Sequence, residues 1–264
     1  MNFVVDFAVK THPGLVRPLN EDAVGADPDV GLFLLADGLG GYNAGEIAST
    51  MAVSTLLAEL TRALHEAQEA GVPFDPRRAL IEALVDVNQS IFRAALNSTA
   101  FEGMATTLVV GWLLGDRLWV AHTGDSRLYR MRGGELEQLT RDHSFSQELL
   151  DAGMVTEDEV RLLPAKNLVT RALGAGADIE PEVHDYDVAS GDVLLLCSDG
   201  LTEMVGPFEI AGLMNACLPD LPDTARRLVD MANEAGGRDN TSVILVRVME
   251  AQSAVDVPAA QAAS

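Results

Sequence analysis

The chain has 264 residues, of which 48% are hydrophobic, and its 18 Lys+Arg against 40 Asp+Glu give a formal net charge of -22 at pH 7. Such a supply of apolar residues, with a mean hydropathy of +0.14, suffices for a sizeable core and implies a globular protein. The negative charge repels phosphate backbones and anionic lipid heads, which argues against nucleic acid and membrane surfaces as partners. The longest apolar stretches, such as TTLVVGWLL and VLLLC, reach at most about half the ~20 residues of a membrane helix. MNFVVDFAVK lacks the basic flank and cleavage site of a signal peptide. Two sparse cysteines, Cys197 and Cys217, read as core residues in a reducing cytosol, so a cytoplasmic location is expected.

In chain order, FVVDFAV and GLFLLAD read as strands, and 44 to 70 repeats Ile47, Met51, Leu56, Leu60 and Leu64 at helical spacing. A second helix is announced by Asp75-Pro76, an N-cap with proline in the first turn, and carries Leu80, Leu84, Val87 and Ile91 on one face. These two helices are expected to pack as an antiparallel pair. The runs TTLVVGWLL, RLWVAHTG, SRLYRMR and ELEQLT, separated by Gly-containing turns, predict a meander of hairpins. Residues 144 to 163 predict two short helices in an acidic segment; strands return with IEPEVHDYDV and GDVLLLCSD, helices with 207 to 217 and 222 to 235, and a final strand with TSVILVRV. Blocks of strands separated by helix pairs argue for a layered α+β fold. From Ala251 onward, AQSAVDVPAAQAAS has little apolar bulk and reads as a disordered tail of 251–264.

Four acidic residues stand at the edges of apolar runs beside Gly or another small residue: Asp37 in LLADG, Asp125 in VAHTGDS, Asp199 in LLLCSDG and Asp239 in GGRDNTSVILV. One such aspartate is an ordinary turn residue. The repetition, with the tight Gly-Leu-Gly-Gly behind Asp37, reads instead as strand ends gathering carboxylates around hard divalent cations. Oxygen ligands without nearby His or Cys suit Mg²⁺ or Mn²⁺ and disfavour zinc. In this reading Asp37 bridges two ions, the carbonyl of Gly38 is a further ligand, and a bridging hydroxide is the nucleophile of a phosphoryl transfer. A serine-hydrolase reading fails because Ser126 and Ser198 lie in no Gly-x-Ser-x-Gly elbow, and the glycine turn lacks the Gly-Lys-Ser/Thr of a P-loop. His12, His65, His122 and His184 show no partner at metal-ligand spacing and read as surface or strand residues.

The ordered set RPLNEDA, ADGLGG, HTGDSRLYR, LVTRALG, LCSDGLTE and GRDNTSVILV resembles the type 2C metal-dependent serine/threonine protein phosphatases in their short bacterial form, from about residue 6 to 249. The resemblance implies a four-layer α-β-β-α sandwich: a central antiparallel β-sandwich with a helix pair on each face, forming one catalytic domain over 1–250 with a flap at 144–167. By position it implies Asp37 as bridging ligand with the Gly38 carbonyl beside it, Asp199 and Asp239 on the second ion, and Asp125 with Asp199 on a weaker third. Arg17, an ordinary exposed arginine when read alone, matches the phosphate-binding arginine. Glu21 and Asp22 match groups that orient water on the ions, or read as a capped turn, and Asn240 is placed to fix its neighbour's carboxylate.

The chain departs from the family in two places. Leu39 stands where many eukaryotic members have a histidine general acid, and Leu163-Pro164 where bacterial members often have His-Pro. His143 remains as either a helper in protonation or a structural residue at a helix start. The expected function is hydrolysis of phosphoserine and phosphothreonine on proteins with Mn²⁺ or Mg²⁺, reversing a Ser/Thr kinase, by a monomer; the alternative is a phosphoprotein-binding module that kept the fold and lost turnover. Retention of Asp37, Asp199, Asp239 and Arg17 favours the enzyme.

Overall fold

The computed structural model describes residues 3–40, 44–160, 168–218 and 220–250. Its strands are β1 (Phe3–His12), β2 (Asp22–Asp27), β3 (Leu32–Leu39), β4 (Ala105–Thr106), β5 (Leu108–Leu114), β6 (Arg117–Thr123), β7 (Arg127–Arg132), β8 (Glu135–Gln138), β9 (Glu182–Asp187), β10 (Val193–Cys197) and β11 (Thr241–Glu250). The helices are α1 (Ala44–Ala70), α2 (Pro76–Asn97), α3 (Phe145–Asp151), α4 (Glu157–Val160), α5 (Asp199–Thr202), α6 (Pro207–Cys217) and α7 (Leu221–Glu234). Strands β1-β11-β10-β7-β8 form one sheet and β2-β3-β5-β6-β9 the other, with β4 beside β3. All pairings of the strands are antiparallel.

The central strands read as unbroken apolar runs because both of their faces are buried. On β3, Leu32, Leu34 and Ala36 pack with α1 and α2, whereas the alternating Phe33 and Leu35 pack against the other sheet. On β10 and β11, Val193, Leu195, Cys197, Val243 and Leu245 meet α6 and α7, and Leu194, Leu196, Ile244 and Val246 face the sandwich interior. Three apolar layers therefore separate four structural layers, which is the α+β sandwich expected from the sequence. The helix signals act as anticipated: the Asp75 carboxylate accepts from Arg78 N at 3.1 Å, and Leu80, Leu84, Val87 and Ile91 are all buried against α1 and its sheet.

The run from 108 to 138 is not one meander. β5 and β6 pair in one sheet, but β7 pairs with β10 and β8 in the other, so the chain crosses the sandwich at residues 124–126. Gly124 makes this crossing with φ +94°, a conformation that favours glycine. β2 carries no alternating signal because each of its residues is half-buried, and α5 is a single turn. In the expected flap, α3 and α4 are present, while 161–167, including Leu163 and Pro164, lie outside the described residues, as does the tail 251–264. Among the described residues no helix is long and apolar enough to cross a membrane.

The interior layer sets a stability contrast. Leu196→Ala, fully buried between the sheets, is expected to cost about 2–5 kcal/mol in guanidinium denaturation, whereas Phe208→Ala, at a side chain 85% exposed, should stay within about 0.5 kcal/mol.

Candidate metal centre

Register brings the acidic strand ends to one end of the sandwich. Asp22 opens β2 opposite Asp37 on β3; β6 closes at Thr123 opposite Leu108, just ahead of Asp125. β10 closes at Cys197 opposite Val243, just ahead of Asp199, and β11 opens at Thr241 opposite the last residue of β1, just after Asp239. The two-residue strand period carries the apolar seam into this end. Phe33 and Leu35 face the seam and Asp37 continues their row; Val24 and Ala26 lie against it and Asp22 continues theirs; Ser198 follows Leu194 and Leu196. The polar site is thus the exposed end of the interior layer.

Neutral hydrogen bonds fix the backbones that carry the acids. Thr107 N donates to Asp37 O at 2.8 Å, and Asp37 N donates to Thr107 Oγ1 at 3.0 Å. Asn240 spans the turn containing Arg17: its amide donates to Pro13 O at 2.9 Å and Leu19 O at 2.8 Å, and its Oδ1 accepts from Glu21 N at 2.8 Å. Its backbone N–H, at 2.9 Å, holds Asp239 Oδ1. Ser198 Oγ donates to Asp22 Oδ2 at 2.9 Å and receives Ser242 N at 3.0 Å, linking the two sheets. Close approach needs glycine here. A Cβ on Gly38 would overlap the Gly45 carbonyl, and one on Gly45 would lie 2.7 Å from Glu21 Oε1 and 2.8 Å from Gly38 O. The Gly38 carbonyl and the Glu21 carboxylate therefore meet over the start of α1.

The electrostatics show what the cluster lacks. Burial, then Asp22, Asp199, Asp125 and Asp239, push the Asp37 carboxyl well above the ordinary carboxylate range. Burial likewise pushes Asp22 up to about 7, Asp125 up to about 8 with Asp199 adding to the rise, and Asp199 up to about 6 with Glu203 and Asp239 adding. Glu21 Oε1, Asp22 Oδ1 and Asp199 Oδ1 are buried without a hydrogen-bond partner. Arg17 Nη2 meets Asp239 Oδ2 at 2.6 Å, but with the Arg17 side chain 52% exposed the pair is worth less than about 1 kcal/mol and is free to exchange. Unpartnered, mutually repelling carboxylate oxygens with a carbonyl among them fit hard divalent cations.

Arg17, Glu21, Asp22, Asp37, Gly38, Asp199, Asp239 and Asn240 thus share one end of the fold, with Asp125 among the charges felt by Asp37. The carboxylates are spread rather than closed. Among the described residues the only three His, Cys, Asp or Glu ligand atoms within 4.8 Å of one another belong to His122, His143 and Glu182. His122, expected as a partnerless strand residue, is instead buried against His143. His143 does not cap α3; Ser144 does, accepting from Gln147 N at 3.3 Å. Thr107 and the bidentate clasp of Arg127 on half-buried Asp142 escaped sequence reasoning, although Arg127 belongs to the GDSR run that contains Asp125.

A family model described as Protein phosphatase 2C matches residues 17–238. The chain is 36% identical over 251 residues to the serine/threonine protein phosphatase PstP of Mycobacterium tuberculosis, covering 95% of this chain and 46% of that protein, so it spans about half of PstP's length. It is 40% identical over 220 residues to the protein phosphatase PhpP of Streptococcus pneumoniae, covering 83% and 86% of the two chains. The crystal structure of the PstP catalytic domain in complex with two manganese ions superposes with a TM-score of 0.82 at 36% identity, covering 94% of this chain and all of that one. By sequence and by architecture, the chain belongs to the protein phosphatase 2C family.

Proposed function

We propose that the chain is a Mn²⁺- or Mg²⁺-dependent serine/threonine protein phosphatase, with its catalytic domain in residues 1–250. The observation that carries this reading is the oxygen-only cluster with unpartnered buried oxygens on Glu21, Asp22 and Asp199, beside an arginine held only by an exposed ion pair. Its relatives PstP and PhpP are named protein phosphatases, and the PstP catalytic domain holds two manganese ions. Divalent cations in such a cluster supply Lewis acidity and charge neutralisation for attack of water on phosphorus.

In this proposal Asp37, the Gly38 carbonyl, Asp199 and Asp239 hold the two core ions, and Asp125 with Asp199 holds a weaker third. Arg17 exchanges Asp239 for two phosphoryl oxygens, which its fork matches. Glu21 and Asp22 each keep one buried oxygen without a hydrogen-bond partner, available to water on the ions. Asn240 holds the Arg17 turn against the start of β11. Leu39 is apolar and contributes no proton, and His143 has its ring nitrogens at Gly124 and Glu182. The substrates are phosphorylated proteins, products of a Ser/Thr kinase, met by a monomer in the cytoplasm, where two unpaired cysteines are at home.

Phosphate release from p-nitrophenyl phosphate and a phosphothreonine peptide should require Mn²⁺ or Mg²⁺ and vanish in EDTA; turnover in a chelated sample refutes the metal role, and binding of phosphopeptide without turnover favours the binding module. Asp199→Asn should lower kcat at least about 100-fold, and a near-normal kcat removes Asp199 from the ions. Arg17→Ala should raise KM for aryl phosphate about tenfold with a smaller change in kcat; an unchanged KM returns Arg17 to the surface.

The shifted carboxyls predict an unusual pH dependence for chelated protein. Their folded values lie above the ordinary value, up to about 8 for Asp125, so the folded state binds more protons than the unfolded one between about pH 4 and 8. Stability therefore falls as pH rises through that window. Thermal melts in EDTA should show Tm dropping from pH 5 to pH 8, Mn²⁺ should restore it at pH 8, and Asp22→Asn should raise it by a few degrees without metal. A flat or rising Tm overturns the electrostatic account.

A further inference from the structure

Beside the carboxylate cluster lies a second group of titratable side chains, two buried histidines and a half-buried glutamate. His122 on β6 stands across from Glu182 on β9, and the rings of His122 and His143 stack with centroids 4.7 Å apart at 21°. Two histidines and a glutamate within 4.8 Å have the composition of a zinc site. The hydrogen bonds decide otherwise. His122 Nε2 lies 2.7 Å from the Arg141 carbonyl, which can only accept, so its lone pair is on Nδ1, as in a ligand. For His143 the order is reversed. The Gly124 backbone N–H donates to Nδ1 at 3.2 Å, which leaves the proton of the neutral ring on Nε2, which faces Glu182 Oε1 at 3.3 Å without forming a hydrogen bond. The atom facing Glu182 is a donor and cannot ligate a metal.

What the arrangement does is hold a backbone. His143 N also donates to Gly124 O at 2.9 Å, so His143 grips both polar groups of Gly124. On its other side Gly124 is pressed against Thr107, where an added Cβ would come within 2.6 Å of the side chain. Thr107 Oγ1 meets Ser126 Oγ at 2.7 Å and receives Asp37 N at 3.0 Å. The residue between Gly124 and Ser126 is Asp125. Glu182 is anchored in turn by Arg171 at 2.8 Å, and Thr170 N donates to His143 O at 2.9 Å.

We propose that His143, oriented by Glu182, is a positioning residue that clamps the sheet-to-sheet crossing at Gly124 and thereby sets Asp125 relative to Asp37. The proposal rests on the phosphatase reading only in assigning Asp125 to the weakest of the cations. His143 touches no substrate; it acts through Gly124.

Two substitutions in the full chain separate the halves of the clamp. His143→Asn puts an amide oxygen near the position of Nδ1 and keeps an acceptor for Gly124 N–H, whereas His143→Gln reaches toward Glu182 and leaves that N–H without one. In His143→Gln, amide hydrogen exchange at Gly124 should accelerate about fivefold or more, the worth of one hydrogen bond, and calorimetric titration with Mn²⁺ should show the weakest phase shifted to higher concentration while the tight phase stays. His143→Asn should keep the wild-type values of both. Glu182→Leu, which leaves the imidazole in place, should move the same two readouts in the direction of His143→Gln. The proposal is overturned if Gly124 exchange and the weak phase are unchanged in His143→Gln, if the tight phase is lost with the weak one, or if Zn²⁺ binds wild type but neither His143 variant. Failure of wild-type protein to hydrolyse phosphate esters with Mn²⁺ would sink the phosphatase reading, while the exchange measurement still decides the clamp.

Discussion

Mutual repulsion among Asp22, Asp37, Asp125, Asp199 and Asp239 is the constraint on which the rest of this structure depends. Two unit charges ~6 Å apart at an effective dielectric of ~20 repel by about 3 kcal/mol. Several such pairs, partly withdrawn from water, would drive strand ends apart unless protons or cations intervene. The raised carboxyls record the proton solution, and the unpartnered oxygens record the room for the cation solution. A fold that holds these groups together without either must do so with bonds that do not themselves carry charge.

It does. Thr107, Ser198, Ser242 and Asn240 are uncharged, and their bonds run to backbone groups and hydroxyls at the feet of the acids, except that Ser198 Oγ also reaches the Asp22 carboxylate. A lysine or arginine in those positions would relieve the repulsion permanently and compete with a metal. The nearby arginines leave most of the cluster without a fixed positive partner, in different ways. Arg127 is spent on Asp142, with three contacts to that one carboxylate. Arg17 is left at the rim on the outward-facing Asp239, in a solvent-screened ion pair worth little.

How much of this was legible in the sequence follows from how local each signal is. The helices 44–70 and 76–97 and the runs LFLLA and VLLLC announce themselves because burial on a face or on both faces leaves a periodic or continuous apolar record. Asp37, Asp199 and Asp239 stand out for the same reason, as charges that end such runs. The Gly124-Asp125-Ser126 turn misleads because it reads as a hairpin, and a turn records a change of direction but not which sheet receives the next strand. Thr107 is an ordinary polar residue until its partner 70 residues away is known, and Asn240, legible as the neighbour of Asp239, shows its hold on the Arg17 turn only through partners up to 227 residues away. The same holds for His143, whose meaning lies in a backbone N–H from Gly124 and a glutamate from β9.

The crossing at Gly124 ties these observations to one another. Asp22, Asp37 and Asp125 come from the ends of strands in one sheet, and Asp199 and Asp239 from the ends of strands in the other. A site at the seam between sheets is therefore only as well defined as the distance between them. Apolar packing of Phe33, Leu35, Leu196 and Ile244 sets that distance in the interior, and Ser198, bonded to Asp22 from one sheet to the other, carries it to the last residue before the acids. Asp125 gains a further tie, because the chain that bears it passes bodily from β6 to β7 and so belongs to both sheets at once. A shift of one sheet against the other would move Asp37 and Asp199 apart as units but would twist Asp125 about its own glycine. That is why the crossing needs a clamp of its own, with Gly124 gripped through both of its backbone groups, while Asp22 and Asp37 take their places from the register of β2 and β3.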